Sequence, residues 1–169
     1  MFESKKLKTL HCVLKEQVQD LYDAEKRLTK ALPKMSDAAS SRELKNAFDS
    51  HLKETENHVR RLEEVARILE IDAGDETCNA MKGLIEEGEK AIKEKGEPEL
   101  HDLTLITLAQ KVEHYEISGY GSARATAQAL GLSRVTALLT ETIEEEGAAD
   151  KKLTSIAGQC LEKAARRAA

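Results

Sequence analysis

The chain has 169 residues, of which 34% are charged and 3% aromatic, with only two prolines. That length fits one core, and the composition is typical of a mostly helical protein. The formal net charge of −5 argues against a general nucleic-acid binder.

The first two predicted helices form a hairpin. The first spans about 4–32, because leucines and valines recur at three- and four-residue spacing on one face. Pro33 is interpreted as its end. The second spans about 42–70, after Ser41 and before Gly74.

A second hairpin follows after a long connection. A weaker amphipathic stretch over about 76–95 predicts a short crossover helix, and two further helices span about 99–130 and 133–167. Two hairpins joined by one long connection is the connectivity of ferritin-like bundles. We therefore predict an all-α, ferritin-like four-helix bundle that forms a single domain over residues 1–169.

The two hairpins look like copies of one unit. Adding 91 to each residue number maps the apolar face of the first hairpin onto that of the second without a gap. The same shift places Glu25 on Glu116 and Glu54 on Glu145. Each hairpin therefore repeats one glutamate on each of its helices.

These glutamates predict a metal site. Glu25 stands between Leu21 and Leu28, so the periodicity that buries the leucines also turns its carboxylate inward. Buried ionised carboxylates cost several kcal/mol unless they are paired or bind a cation. A pair of metal ions supplies the required charge, and an oxygen-rich site with one or two imidazoles suits iron or manganese better than structural zinc.

The second helix supplies the imidazoles. His51, Glu54 and His58 lie at relative positions 0, +3 and +7 on one face. Glu113 adds a carboxylate one turn before Glu116. The predicted metal ligands are Glu25, Glu54, His58, Glu113, Glu116 and Glu145, with His51 as a further candidate.

Each candidate also has a structural interpretation. Glu54 could be a solvated surface charge, and at most one or two of Glu144, Glu145 and Glu146 can face inward. Glu25 and Glu116 could form interhelical ion pairs instead of binding metal. The two histidines could be core hydrogen-bonding groups or partners that orient a ligand.

Several segments resemble the YciF/YciE-type stress-protein family of ferritin-like proteins. They are LYDAEKRLTKALPKM, HLKETENHVRRLE, AMKGLIEEGE, AQKVEHYEISGYG and LLTETIEEEGAADKKLT. The resemblance covers nearly the whole chain and implies a rubrerythrin-like or bacterioferritin-like metal centre, a dimer and a role in bacterial stress. It implies no settled biochemical activity.

The chain departs from the di-iron pattern, which places Glu-x-x-His on two helices. Three residues after Glu54 stands Asn57, with His58 one further, and Ala148 and Ala149 follow Glu145. The second metal could therefore be weak, and a mononuclear site stays open. By analogy with related bundles, Glu54 and Glu145 would bridge the two metals while Glu25 and Glu116 would be terminal ligands.

The leading functional hypothesis is a non-haem, di-iron protein that reacts with dioxygen or peroxide during stress. The main alternative is a non-catalytic helical stress or interaction protein with a vestigial or mononuclear site. Iron storage in a cage is a third interpretation that would need a large symmetric assembly. A homodimer is the expected oligomer.

Cytoplasm is the expected location. Cys12, Cys78 and Cys160 are odd in number and lack zinc or redox spacing, which favours reduced thiols. The N-terminal segment has no apolar region of signal-peptide length, and no stretch reaches the roughly 20 apolar residues of a membrane span.

Overall fold

The computed structural model describes residues 8–168, which contain no strand. The helices are α1 (Leu10–Ala38), α2 (Arg42–Ile68), α3 (Asn79–Ala91), α4 (Pro98–Ala129) and α5 (Ser133–Ala168). Among the described residues no helix has both the length and the apolar character needed to cross a membrane. The all-α prediction is confirmed.

Four long helices form the bundle. α1 packs along α2 and α4 packs along α5, while contacts of α1 with α4 and of α2 with α5 join the two hairpins. The short helix α3 lies in the crossover and packs against α1 and α4. This is the predicted ferritin-like connectivity.

The predicted end of the first helix at Leu32 is wrong. α1 continues through Pro33 to Ala38, although an internal proline loses one backbone hydrogen bond. Met35 is buried in the final turns, and the Ser36 hydroxyl donates to Asp49 Oδ1 on α2 at 2.6 Å. These contacts stabilise the turns after the proline. The predicted start over residues 4–7 lies outside the described residues.

Two other helices are shorter than predicted. α2 ends at Ile68 because Glu70 adopts a left-handed conformation with φ of 54°. α3 begins only at Asn79, where the Cys78 side chain accepts from the backbone N–H of Met81. Asp102 of α4 accepts from the backbone N–H groups of Ser40 and Ser41 at 2.7 and 2.8 Å, which fixes the α1–α2 turn against the second hairpin.

The core consists of two apolar clusters at opposite ends of the bundle, one of which also packs against α3. A buried polar layer separates them. On α1, Glu25 stands between Leu21 of one cluster and Leu28 of the other, and on α5, Glu146 stands between Leu139 and Leu153. The helix periodicity that builds the core therefore also places the polar layer at mid-bundle.

Candidate metal centre

Six buried ionisable side chains form the polar layer, and all four long helices contribute. The described residues of this layer are Glu25 on α1, His51 and His58 on α2, Glu113 and Glu116 on α4, and Glu146 on α5. None of them is more than 6% exposed. Charged side chains are almost never buried to this extent unless they are paired or coordinate an ion.

The ligand-capable atoms fall into two groups. In one group, single atoms of His51, Glu113, Glu116 and Glu146 all lie within 4.8 Å of one another. In the other, atoms of Glu25, His58 and again Glu146 meet the same limit. Glu146 belongs to both groups, and these buried groups could each hold a metal ion.

His58 connects the second group to the bundle surface. Its Nδ1 lies 3.0 Å from Glu146 Oε1 and 3.3 Å from Glu25 Oε1. Its Nε2 lies 2.8 Å from Glu145 Oε2. One ring nitrogen thus faces the cluster and a carboxylate holds the other, the arrangement found around metal-ligating histidines.

His51 repeats this arrangement in the first group. Its Nε2 lies 3.3 Å from Glu113 Oε1 and 3.7 Å from Glu146 Oε2. Its Nδ1 lies 3.4 Å from Glu54 Oε2. Glu54 and Glu145 therefore occupy matching places, each beside the outer nitrogen of a histidine.

Both of these predicted ligands lie outside the two groups. The Glu54 side chain is 41% exposed and that of Glu145 is 31% exposed. Glu145 also forms an ion pair with Arg61, whose Nη2 lies 2.9 Å from Glu145 Oε1. Burial raises the pKa of Glu145, but hydrogen bonds from Arg61 and His58 outweigh it and lower the pKa. Its negative charge is thus already balanced by protein groups.

Other predicted ligands do meet in the centre. Glu25, His51, His58, Glu113 and Glu116 all fall in one of the two groups. Tyr120, buried on α4, donates its hydroxyl proton to Glu25 Oε1 at 2.5 Å. Tyr120 therefore fixes one oxygen of Glu25, and the other, Oε2, has no hydrogen-bond partner within residues 8–168.

Glu146 is absent from the predicted ligands, although the sequence holds a signal for it. Three residues before His58, where the di-iron pattern expects a glutamate, stands Thr55. The 91-residue shift maps Thr55 onto Glu146. Aligning the repeat on His58, and not on Glu54, would have selected Glu146.

The electrostatics of the layer favour a bound cation. Burial raises the pKa of Glu116 well above its ordinary value, and the nearby carboxylates Glu25, Glu146 and Glu113 raise it further. Neither carboxylate oxygen of Glu116 has a hydrogen-bond partner among the described residues. Leaving such groups buried and unpaired is costly.

The pKa values of the two histidines are also raised, which favours the charged form of each imidazole. Burial lowers the pKa of His51 and of His58, but the surrounding carboxylates outweigh it, raising the pKa to about 9 and about 11 respectively. Burial and mutual repulsion also raise the pKa of Glu25, Glu113 and Glu116, so these carboxyl groups resist ionisation unless a cation is bound beside them. The donor set of carboxylate oxygens and imidazole nitrogens therefore fits divalent or trivalent ions.

Comparison with known proteins gives a consistent family. The family described as "Domain of unknown function (DUF892)" matches residues 9–166. Protein YciF of Escherichia coli (strain K12) is 42% identical over 152 residues, which are 89% of this chain and 92% of YciF.

Solved structures match this chain over nearly its full length. The crystal structure of the E. coli stress protein YciF matches with a TM-score of 0.90 at 41% identity, covering 93% of this chain and 99% of that one. YcfI from Rhodopseudomonas palustris matches with a TM-score of 0.85 at 37% identity over 90% and 98%. A Xanthomonas campestris pv. campestris protein, 17% identical with a TM-score of 0.74 over 94% and 98%, shares the fold.

Proposed function

The chain belongs to the DUF892 family of YciF-like stress proteins, and we propose that it binds two transition-metal ions in the buried polar layer. Iron is the first choice and manganese the second, because the donors are mainly carboxylates with one imidazole for each ion. The bound ions would serve a reaction with dioxygen or peroxide during stress.

The position of Glu146 is the observation that carries this proposal. One group of ligand-capable atoms within 4.8 Å of one another contains Glu146 together with His51, Glu113 and Glu116. The other contains Glu146 together with Glu25 and His58. A carboxylate has two oxygens and can bind one ion with each. Glu146 is therefore the bridging candidate, and the two groups give the ions separate remaining ligands.

Bound metals of this kind would supply a redox couple and polarise an oxygen-containing substrate. Protein groups around the site would orient the ligands for these ions. Glu54 and Glu145 hold the outer nitrogens of His51 and His58, which directs the inner nitrogens towards the centre. Tyr120 fixes one oxygen of Glu25, and the two apolar clusters exclude water on both sides.

An opening between α2 and α5, whose lining also includes Lys152, would give cations a route to the centre. Its lining includes Glu54 and Glu145 towards the surface and His51 and Glu113 inside, and it contains about 560 Å³ of empty space, part of which is open solvent. Carboxylates along such an opening attract cations. Glu54, whose side chain is 41% exposed, would thus also act during metal entry, whereas the charge of Glu145 is balanced by Arg61.

Metal stoichiometry tests the proposal. Protein purified without chelator or nickel affinity resin is loaded anaerobically with Fe(II), and the metal per chain is measured before and after exposure to air. We expect close to two irons per chain and an oxo-bridge absorption in air. Glu25→Gln and Glu116→Gln should lower the metal content, whereas Glu144→Gln, at an exposed position on α5, should not. Metal content at background in the unsubstituted protein would refute the proposal.

The pairing of the histidines supports a second candidate function. Two imidazolium groups neutralise half of the four buried carboxylates, so the layer could persist without metal. The protein would then be a non-catalytic helical stress or interaction protein with a vestigial or mononuclear site. Retention of one metal ion or none per chain, with no absorption change in air, would favour this function.

We propose a homodimer in the cytoplasm as the working form of the protein. The three cysteines are free thiols, which suits a reducing compartment. Leu100 and Leu161 are 51% and 57% exposed and line one pocket at the surface. Sedimentation equilibrium distinguishes a dimer from a monomer and from the large cage that iron storage would need.

A further inference from the structure

A second, apolar pocket reaches the metal centre from the side of the crossover. This crossover pocket is a narrow recess that lies beneath α3, between α1, α2 and α4. Its walls include Leu28, Leu32, Met35, Phe48, Ile85 and Gly88. The apolar cluster packed against α3 thus contains a recess and is not completely filled.

The inner end of the crossover pocket is lined by ionisable side chains. His51 and Glu113 line it there. His51 Nε2 lies 3.3 Å from Glu113 Oε1, and Glu113 Oε2 is a buried atom with no hydrogen-bond partner among the described residues. At the outer rim, Lys34 Nζ pairs with Glu89 Oε1 at 2.7 Å, with both side chains well exposed. Apolar walls therefore connect a charged rim to ionisable atoms of the metal centre.

We propose that the crossover pocket binds a slender aliphatic molecule and holds one end of it beside His51 and Glu113. The walls offer methyl and methylene contacts, so a hydrocarbon chain gains free energy with each buried methylene. A polar chain would lose its hydrogen bonds to water without replacement. Apolar clefts with a few convergent polar groups are the usual small-molecule sites.

The burial of the walls argues for a small molecule as the occupant. Leu28, Leu32, Met35 and Gly88 are all buried below the bundle surface. A helix is about 10 Å wide with its side chains and would have to displace α3 to reach them, whereas an alkyl chain would not. The assignment of the occupant as a substrate rests on the proposed function; the binding itself does not.

Gly88 offers a way to close the pocket. A Cβ atom at this position would meet Met35 Sδ at 3.8 Å, which is ordinary van der Waals contact. A leucine there would fit the backbone and fill the recess. Gly83 lies on the same helix, is exposed, and has nothing within 4 Å of an added Cβ. Gly83→Leu is therefore a matched control for Gly88→Leu.

Calorimetric titration of the full chain with straight-chain alcohols from butanol to octanol tests the proposal, with and without Fe(II). We expect saturable binding that tightens about fourfold per added methylene. Gly88→Leu should weaken octanol binding at least about tenfold, whereas Gly83→Leu should leave it unchanged. Ala31→Leu fills the opposite wall and provides a second closing variant in case the first one folds poorly.

Unsaturable octanol binding, or equal affinity in both closing variants and the control, would overturn the proposal. Metal content measured on the same samples separates this result from failure of the metal centre. If octanol binds and Gly88→Leu blocks it while no metal is retained, the crossover pocket is a binding site and the proposed function fails. If metal is retained but octanol does not bind, only the pocket proposal fails.

Discussion

The two helical hairpins, α1 with α2 and α4 with α5, build the same kind of core but contribute different chemistry. Their first helices are equivalent in one respect, because Glu25 and Glu116 lie 91 residues apart and both are fully buried. The apolar positions around these glutamates also repeat. The shared part of the two hairpins is therefore the core and one carboxylate each.

Their second helices differ where the ligands lie. Thr55 and His58 on α2 correspond to Glu146 and Ala149 on α5. The first hairpin consequently supplies both imidazoles of the polar layer, and the second supplies three of the four carboxylates of that layer. Neither hairpin carries a complete donor set, so repetition of a fold does not repeat the site built on it.

The largest expected effect is a difference in metal content between variants at the equivalent positions Glu146 and Thr55. Glu146→Gln removes the bridging candidate, and we expect both ions to be lost, a larger effect than the roughly 10–100-fold that follows removal of a ligand's outer partner. Thr55→Val keeps the side-chain volume and removes a hydroxyl that has no hydrogen-bond partner in the described part of the chain, so metal content should stay unchanged. Metal analysis of both variants after Fe(II) loading checks this; equal metal content in the two would contradict it.

An intermediate effect should follow from the outer partners of the histidines. Glu54→Ala and Glu145→Ala leave His51 and His58 without the carboxylates beside their outer nitrogens. We expect the metal dissociation constant to rise about 10–100-fold while the stoichiometry at saturation stays the same. Competition titration with a metal indicator measures both quantities. If the stoichiometry falls instead, these glutamates are ligands themselves, as the sequence predicted.

A stability difference should distinguish Glu25 from Glu116 in the metal-free protein. Neither oxygen of Glu116 has a hydrogen-bond partner among the described residues, whereas Glu25 accepts from Tyr120. Burial raises the pKa of Glu116 well above its ordinary value, so this carboxyl must take up a proton on folding near neutral pH. Glu116→Gln removes that cost, and we expect the free energy of unfolding to rise by about 1–3 kcal/mol. Glu25→Gln should raise it less. Urea unfolding in the presence of chelator makes the comparison, and destabilisation by Glu116→Gln would contradict it.

The smallest expected effect concerns the core. Leu28 of the first hairpin corresponds to Gly119 of the second, where an added Cβ would lie 2.9 Å from Leu21 Cδ2. Because only the end of a side chain must move, Gly119→Ala should cost about 1 kcal/mol. Gly121→Ala, with nothing within 4 Å, should stabilise the helix by about 0.5–1 kcal/mol. Thermal unfolding of both variants tests whether the close contact exists.

The fold was predictable because it depends on local periodicity. Leucines at three- and four-residue spacing indicated the helices, and the position of Glu25 between Leu21 and Leu28 indicated a buried carboxylate. The end of α1 was not predictable from Pro33 alone, because its last turns depend on burial of Met35 in the assembled bundle. Propensity gives way to tertiary packing at that point.

Helix periodicity alone does not choose between Glu145 and Glu146. The two residues are neighbours in a run of three glutamates, and one residue rotates a side chain by about 100° around a helix. What turns Glu145 outward is its ion pair with Arg61, 84 residues away. The tertiary structure shows that Glu145 pairs with Arg61 near the surface, whereas Glu146 is buried beside His51 and His58.

The distribution of donors over all four long helices has a kinetic consequence. Each hairpin consists of neighbouring helices joined by a short turn, so it can form through local contacts, but the donors converge only after the hairpins have docked. Interactions that form after the transition state mainly slow unfolding and change the folding rate little. Metal loading should therefore lengthen the lifetime of the folded protein, which would delay proteolysis and thermal inactivation in a stressed cell.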